Sequence, residues 1–214
     1  MAQRRQRGRI TQALACIMGA CGIWRVVLPA RDAVRQGDTM VRQTFEQRES
    51  DMASSLRIGH GYDVHRLAEG RHCIIGGVDI PYEKGLLGHS DADVLAHALA
   101  DAILGACRGG DIGKLFPDTD PAYEGADSLK LLADTMGHAR SLGYEFVDAD
   151  CTIACQEPKI TPHRDAMRAN LAHAIGCPVE NVGVKATTTE KLGWEGAGEG
   201  IGAWAVCLLE RCSK

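Results

Sequence analysis

Two histidines and one aspartate are the residues of this sequence best suited to hold a metal ion. Asp63 and His65 are two positions apart in a run, residues 57–65, that predicts a strand, and a period of two puts both side chains on one face. His97 lies in an Ala- and Leu-rich segment, residues 91–107, that predicts a helix. A carboxylate with two imidazoles is a common ligand set for zinc with an open fourth position, where the ion polarises a bound oxygen. The pattern therefore predicts a catalytic metal centre, here called the metal triplet.

The same residues also allow plainer interpretations. A lone Asp-x-His pair suits the end of a strand, and a single helix histidine is often a structural residue. Ser90 is the predicted N-cap of the helix, and Asp93, His97 and Asp101 recur every four residues on one of its faces. Asp101 is accordingly either an outer hydrogen-bond partner of the His97 imidazole or a solvated carboxylate.

The elements that must position these residues alternate between strands and helices. Their order favours the α/β class, as a single mixed sheet of the four-stranded type with helices packed on one face. The predicted strands are residues 57–65, 144–156, 182–187 and 201–210, with a hairpin at 73–80. The predicted helices are residues 91–107, 127–142 and 161–175, with Gly143 ending the second, and residues 82–89 are a predicted loop.

Length, charge and cysteine usage limit the possible functions. With 214 residues, the chain is long enough for one domain with a substantial core plus an appendage. Residues 1–55 hold nine of the 24 Lys and Arg but five of the 28 Asp and Glu, so the remainder is acidic, which argues against non-specific nucleic-acid binding. The nine cysteines form no C-x-x-C motif and indicate reduced thiols of a cytosol-like compartment.

The basic N-terminal segment, residues 1–55, is expected to be a poorly ordered extension, with residues 56–214 as the functional domain. Its one apolar run, residues 10–23, is too short and too polar to span a bilayer. The extension is either a transit peptide or the product of a misplaced start upstream of Met52. Because the segment is short and poor in Ser, we expect a cytoplasmic protein, with a plastid location if it is a transit peptide.

Four polar loops add groups that suit phosphate. Residues 111–120 carry three carboxylates, 155–162 place a lysine between prolines, 185–193 combine hydroxyls with two lysines and a carboxylate, and 196–200 form a glycine-rich turn. Hydroxyls, lysines and exposed N–H groups suit a diphosphate, and a carboxylate such as Glu190 suits a magnesium ion that bridges it. Each loop alone fits a solvated surface, but all of them together with the metal triplet favour a diphosphate site.

Residues 57–211 resemble the 2-C-methyl-D-erythritol 2,4-cyclodiphosphate synthase family of the non-mevalonate isoprenoid pathway. The motifs that carry the resemblance follow one another along this segment: RIGHGYDVH, IGGVxIPYEKGLLxHSDxDV, GDIGKLFPDTDP, the Pro158-Lys159 turn and VKATTTEKLG. The family implies an enzyme, a phosphorus–oxygen lyase. The 2-phosphate of 4-diphosphocytidyl-2-C-methyl-D-erythritol 2-phosphate attacks the β-phosphorus, releases CMP and closes a cyclic diphosphate. Such catalysis depends on positioning and charge neutralisation, which agrees with the lack of a Ser-His-Asp or reactive-Cys pattern.

The resemblance also implies roles for individual residues. The metal triplet is implied to bind zinc or another divalent transition metal, and Glu190 to bind magnesium or manganese that bridges the diphosphate. His89 and Thr188 are implied to polarise and orient the phosphates in the transition state.

The remaining residues carried over by the resemblance contact the substrate. At the diol and 2-phosphate end they are Asp63, His65, His89, Ser90, Asp111, Ile112, Gly113, Phe116, Pro117, Asp118, Thr119 and Asp120. At the cytidine and diphosphate end they are Cys155, Gln156, Glu157, Pro158, Lys159, Ile160, Thr161, Ala186, Thr187, Thr188, Thr189 and Glu190. Trp194 and Ala197 are also carried over, without assignment to either end.

The family further implies a homotrimer whose active sites lie between neighbouring subunits, with no nucleic-acid or membrane partner. Ala197 departs from the family pattern, because many members have there an arginine that lines a central cavity proposed for isoprenoid diphosphates. A trimer-axis ligand held by that residue is therefore not expected. Two alternatives stay open: a metal-dependent phosphohydrolase of a nucleotide diphosphate, with a linear product, and a non-catalytic trimer that binds isoprenoid diphosphates.

Overall fold

A five-stranded sheet forms the centre of the computed structural model, which describes residues 54–117 and 119–212. In spatial order the strands are β4 (Lys84–Leu87), β1 (Leu56–Glu69), β7 (Gly200–Arg211), β5 (Tyr144–Ala154) and β6 (Val182–Thr187). β5 and β6 pair in parallel, and the other neighbours pair antiparallel. The mixed sheet and the α/β class are thus confirmed, while the predictions for residues 1–53 and for Asp118 lie outside the described residues.

The sheet has one strand more than the predicted four-stranded type. Residues 82–89 are predicted as a loop, yet Lys84–Leu87 pair with β1, where Leu86 lies opposite Leu67. Leu86 is fully buried, so a core contact holds this strand in place. Four residues are too few for an alternating pattern to reveal it. The predicted hairpin is present as β2 (Cys73–Ile75) and β3 (Val78–Ile80).

Three long helices pack against the sheet and against one another. They are α1 (Val94–Cys107), α3 (Ser128–Ser141) and α4 (Arg164–Ile175). Single turns form α2 (Ile112–Leu115) and α5 (Gly193–Gly196), and 3₁₀ turns occupy Pro121–Tyr123, Thr161–His163 and Val179–Asn181. α1 contacts β1 and β7, α3 contacts β5, and α4 contacts β6. Within the described residues, no helix is long and apolar enough to cross a membrane.

Two glycines allow α1 to approach β1 closely. A Cβ added at Gly59 would lie 1.8 Å from the carbonyl oxygen of Ala102, and one added at Gly61 would lie 1.9 Å from that of Ala98. Any larger residue at these positions would push the helix away from the strand.

The alternation of β1 decides which side chains reach α1. Gly59 and Gly61 face the helix, so Asp63 and His65 face the same way. The alternate residues of β1 face away from the helix, and one of them, Ile58, is 67% exposed. β1 therefore directs two members of the metal triplet toward the helix that carries His97.

Asp93 caps α1 in place of the predicted Ser90. Its carboxylate accepts hydrogen bonds at 3.1 Å from two N–H groups of the first turn of α1. It also accepts from the N–H groups of Gly76 and Gly77, at the turn of the β2–β3 hairpin, at 2.8 and 2.6 Å. Burial raises the pKa of Asp93, and the N–H donors oppose that rise. The residue thus ties the hairpin to the helix and does not share the predicted face with His97.

Replacing Asp93 tests this connection. We expect Asp93→Ala to lower the free energy of unfolding by about 2–4 kcal/mol, because the helix loses its cap and two hairpin N–H groups lose their partner. Urea unfolding followed by circular dichroism measures the loss. Asp127→Ala is the matched control, since the exposed Asp127 caps α3 through one N–H group and should cost only about 1 kcal/mol. Equal losses for the two variants would contradict the role of Asp93 at the hairpin.

Candidate active site

The structure brings the metal triplet together. Asp63 Oδ2 lies 3.0 Å from His65 Nε2 and 3.0 Å from His97 Nδ1, and the two nitrogens are 3.2 Å apart. The three side chains are 13–26% exposed, so they are sheltered but reachable from solvent. One ligand atom from each residue can therefore converge on a single cation.

Burial and hydrogen bonding act in opposite directions on this cluster. Burial alone would raise the pKa of Asp63, but hydrogen bonds with His65 and His97 hold that pKa well below its usual range. Burial lowers the pKa of His65, and its contact with Asp63 raises it by more, so the net shift is upward. Protons and a cation therefore compete for the same atoms.

The outer ring nitrogens of both histidines have partners. His65 Nδ1 lies 3.0 Å from the carbonyl oxygen of Leu87. A carbonyl can only accept, so we assign a proton to Nδ1, and Nε2 is the nitrogen that would bind a cation in place of its proton to Asp63. His97 Nε2 lies 2.8 Å from Ser128 Oγ and 3.2 Å from Ser90 Oγ. Histidines that bind zinc have outer partners of this kind, so these residues fit a zinc ion or another divalent transition metal.

Arg71 braces the loop that carries His89. Its guanidinium donates to the carbonyl oxygens of Leu86 at 3.2 Å, Gly88 at 3.4 Å and Ser90 at 3.1 Å. These bonds hold the backbone on both sides of His89, so the exposed imidazole projects from an anchored loop.

A cavity of about 330 Å³ adjoins the metal triplet. Its lining residues are His65, His89, Ser90, His97, Ile112, Gly113, Phe116, Tyr123 and Leu131. Phe116 packs edge-on against Tyr123, with ring centroids 5.4 Å apart. Sequence reasoning does not identify Tyr123 or Leu131, because an apolar wall carries no motif. Pro117, Thr119 and Asp120 of the predicted set lie in the same loop but do not line the cavity.

Two aspartates hold the short helix α2 at the edge of this cavity. Asp111 caps it by accepting from the Lys114 N–H at 2.8 Å, and Asp101 accepts from the Ile112 N–H at 2.8 Å. Asp101 is therefore a partner of α2 and, among the described residues, has no hydrogen bond to His97, so of the two alternatives left open for it the structure does not support the role as outer partner of His97. Burial raises the pKa of Asp101 although the Ile112 N–H lowers it.

The residues predicted for the cytidine end lie where β5 and β6 finish. Because these strands are parallel, with Ala154 opposite Thr187, the segments that follow them emerge side by side. The Cys155 N–H donates to the Thr187 carbonyl oxygen at 3.1 Å. The predicted segments 155–161 and 186–190 therefore start from neighbouring positions at one end of the sheet.

The turn after β6 has an unusual backbone. Glu190 and Lys191 are both left-handed, with φ of 54° and 65°. Such conformations cost roughly 1–3 kcal/mol each in non-glycine residues and cluster at functional sites. The Thr188 hydroxyl donates to Glu190 Oε1 at 2.8 Å, so the turn brings the predicted phosphate-orienting and magnesium-binding residues together.

The two ends of the predicted site do not share this cavity within one chain. Among the residues that the structure describes, none from 155–161 or 186–190 lines the cavity beside the metal triplet. Trp194 borders a different cavity, of about 260 Å³, on the side of β1 where Tyr62 lies. Ala197 is exposed just after α5.

The seven described cysteines are free thiols, as predicted. Burial raises the pKa of Cys151 and of Cys207 to about 12, and that of Cys155, in the predicted cytidine segment, to about 11. A thiol with a raised pKa is a poor nucleophile. Cys155 therefore offers a small apolar surface and no covalent chemistry.

Comparisons with known proteins agree with this geometry. The model of the YgbB family matches residues 56–210. A 2-C-methyl-D-erythritol 2,4-cyclodiphosphate synthase of Trichlorobacter lovleyi is 64% identical over 154 residues, which cover 72% of this chain and 98% of that protein. The enzyme of the same name from Geotalea uraniireducens is 62% identical over 156 residues, which cover 73% of this chain and 99% of that one.

The chain is also similar to solved structures of 2-C-methyl-D-erythritol 2,4-cyclodiphosphate synthases. A structure of 2C-methyl-D-erythritol-2,4-cyclodiphosphate synthase in its CDP-bound form has a TM-score of 0.67 at 40% identity, over 72% of this chain and 100% of that chain. An IspF from Plasmodium falciparum in complex with CDP has a TM-score of 0.65 at 31% identity, over 75% of this chain and 99% of that chain.

Removing one ligand tests the metal triplet. We expect His97→Ala to weaken zinc binding by more than the roughly 100-fold that follows loss of an outer partner, because a ligand itself is lost. Competition with a chromophoric chelator measures the affinity. His72→Ala, which removes an exposed imidazole paired with Asp79 at 2.8 Å, is the control and should bind zinc normally. Undiminished zinc affinity in His97→Ala would contradict the assignment.

Proposed function

The chain belongs to the YgbB family and is a lyase that forms 2-C-methyl-D-erythritol 2,4-cyclodiphosphate in isoprenoid precursor biosynthesis, and we propose that it does so by neutralising the phosphate charges of its substrate and positioning the 2-phosphate to attack the β-phosphorus of the same molecule. The 2-phosphate of 4-diphosphocytidyl-2-C-methyl-D-erythritol 2-phosphate forms a bond to the β-phosphorus. The bond from that phosphorus to the oxygen shared with the α-phosphate breaks, and CMP leaves with the electron pair. The enzyme supplies no covalent nucleophile.

The observation that carries this proposal is the position of the metal triplet beside a cavity that is lined in part by polar groups. Asp63 Oδ2, His65 Nε2 and His97 Nδ1 face one point, next to the cavity that His89 and Ser90 also line. The cavity lining includes the His89 imidazole and the Ser90 hydroxyl, which can contact a phosphate, as well as the aromatic rings of Phe116 and Tyr123.

Two cations would complete the site. Asp63, His65 and His97 would hold zinc or another divalent transition metal, which when bound supplies positive charge that polarises a phosphate oxygen. Glu190 would hold magnesium or manganese, a hard cation that would supply positive charge to the phosphate oxygens of a diphosphate.

The chain's own side chains orient the reacting groups. His89 projects from a loop that Arg71 anchors, so its imidazole can donate to a phosphate oxygen where negative charge develops. Thr188 has its hydroxyl held at the Glu190 carboxylate and lies where the diphosphate would enter from the cytidine end. Fixed groups of this kind lower the barrier by positioning the phosphates before reaction.

The substrate-binding assignments divide between the two ends of the site. Ile112, Gly113 and Phe116 line the cavity beside the metal triplet and would contact the diol. Segments 155–161 and 186–190, which include Lys159, would hold the cytidine and its phosphates. The CDP complexes of related structures support a cytidine nucleotide as part of the ligand.

A homotrimer would join the two ends. The sheet face opposite α1 exposes Ile58, Tyr62, Val64 and Val206, each 40–67% exposed, which is an apolar surface typical of an interface between subunits. A partner packed there would cover this surface, and its cytidine end would complete a site that one chain leaves divided. The cytoplasmic location and the N-terminal extension stay predictions from the sequence.

The reaction is tested by phosphorus NMR of the full chain with the cytidine diphosphate substrate, zinc and magnesium in ¹⁸O-labelled water. We expect CMP and a cyclic diphosphate without ¹⁸O, because the attacking oxygen belongs to the substrate. A chelator added beforehand should stop both products. A linear product that carries ¹⁸O would mean that water attacks, and the phosphohydrolase alternative would replace this proposal.

The trimer is tested by placing a charge on the exposed sheet face. We expect Ile58→Glu to dissociate the trimer, since a charge buried without a partner is costly, and to lower activity with it because the site is shared. Sedimentation velocity measures the mass. Leu142→Glu, at an exposed apolar residue just after α3, is the control. A monomeric unaltered chain, or an Ile58→Glu variant that remains trimeric, would contradict the proposal.

A further inference from the structure

The Asp91 carboxylate and the Ser128 hydroxyl lie on the Nε2 side of the His97 ring, opposite the nitrogen that faces Asp63. Ser128 is the first residue of α3 and is 1% exposed, and Asp91 lies in the loop before α1. Neither residue is a metal ligand or one of the substrate-binding residues carried over by the family resemblance.

The Asp91 carboxylate accepts every hydrogen bond that it makes with the described residues. Its Oδ2 accepts from the Ser128 N–H at 3.1 Å, and its Oδ1 accepts from the Asp93 N–H at 3.2 Å and from the Ser128 hydroxyl. Because both oxygens face donors, the carboxylate takes the only proton of the Ser128 hydroxyl. Ser128 Oγ then has lone pairs but no proton left to donate.

This arrangement fixes the proton of His97. Its Nε2 lies 2.8 Å from Ser128 Oγ, so Nε2 must be the donor and carries the ring proton. Nδ1 faces the cluster, 3.0 Å from Asp63 Oδ2, and a carboxylate can only accept, so a divalent cation bound there would take the place of a proton on Nδ1 while Nε2 keeps its own. Ser90 Oγ is also near Nε2, at 3.2 Å, but no carboxylate among the described residues takes its proton, so Ser90 can donate or accept and does not decide the tautomer.

We infer that Asp91 and Ser128 are positioning residues that hold His97 as the Nε2–H tautomer and so keep its Nδ1 free to bind a divalent cation. The inference rests on the proposed metal centre and adds the residues that prepare it. Asp101 does not serve this purpose, since its carboxylate accepts from the Ile112 N–H at 2.8 Å.

The first measurement is the zinc affinity of the full chain by competition with a chromophoric chelator. We expect Ser128→Ala and Asp91→Asn each to bind zinc about 10–100-fold more weakly, the usual effect of losing an outer partner. Ser128→Thr keeps the hydroxyl and should restore an affinity close to that of the unaltered chain. Asp101→Asn is the matched control and should also bind zinc normally.

The second measurement is NMR of the zinc-loaded, ¹⁵N-labelled chain. We expect the His97 Nε2–H proton to exchange slowly with water in the unaltered chain and in Ser128→Thr, and to exchange faster in Ser128→Ala. A purely structural role for Ser128 would not change this proton.

Two results would overturn the inference. One is a Ser128→Ala and an Asp91→Asn variant that bind zinc as tightly as the unaltered chain. The other, which needs no variant and so decides even if Ser128→Ala does not fold, is a zinc-loaded unaltered chain without a slowly exchanging His97 Nε2–H. An unaltered chain that takes up no zinc would instead remove the metal centre itself, which distinguishes failure of the proposed site from failure of its positioning residues.

Discussion

The close contact between α1 and β1 is the constraint on which the candidate site depends. Gly59 and Gly61 have no side chain to separate strand from helix, and an added Cβ would fall within 2 Å of a helix carbonyl oxygen. The next two positions on the same face of the strand are Asp63 and His65, so they meet His97 at hydrogen-bond distance. The motif around these residues therefore encodes two things at once: the ligands, and the glycines that let the ligands meet.

The three aspartates near His97 show that backbone N–H groups determine which hydrogen bonds a carboxylate makes. Asp93 and Asp101 are spaced four residues to either side of His97, yet both bind backbone N–H groups, at the hairpin turn and at α2 respectively. Asp91, which the helical spacing does not single out, also accepts from two backbone N–H groups and in addition accepts from the Ser128 hydroxyl, which contacts His97. The N–H groups at helix starts and turns need acceptors, and they take the nearest carboxylates first. The fold therefore decides which of these carboxylates also lies within reach of Ser128 and, through it, of the His97 imidazole.

Local patterns predict much of this fold and the centre of its site. β1, the hairpin, the three long helices and β6 follow from alternation, helical composition and turn residues, and the metal triplet follows from the period of a strand and the position of one helix histidine. Features that depend on contacts distant in sequence do not follow. β4 has too few residues for a pattern, Ser128 reaches His97 across 31 residues, and Tyr123 and Leu131 line the cavity without belonging to any motif. The family resemblance supplied the substrate and the cytidine end, which no spacing rule would have given.

The most direct test of the account is the position of zinc in crystals of the zinc-loaded chain, located by anomalous diffraction at the zinc edge. The account predicts one strong peak between Asp63 Oδ2, His65 Nε2 and His97 Nδ1, with Ser128 still at the outer nitrogen of His97. Zinc bound elsewhere, for example at cysteine sulfur, with no peak among these three atoms at saturating zinc, would contradict it.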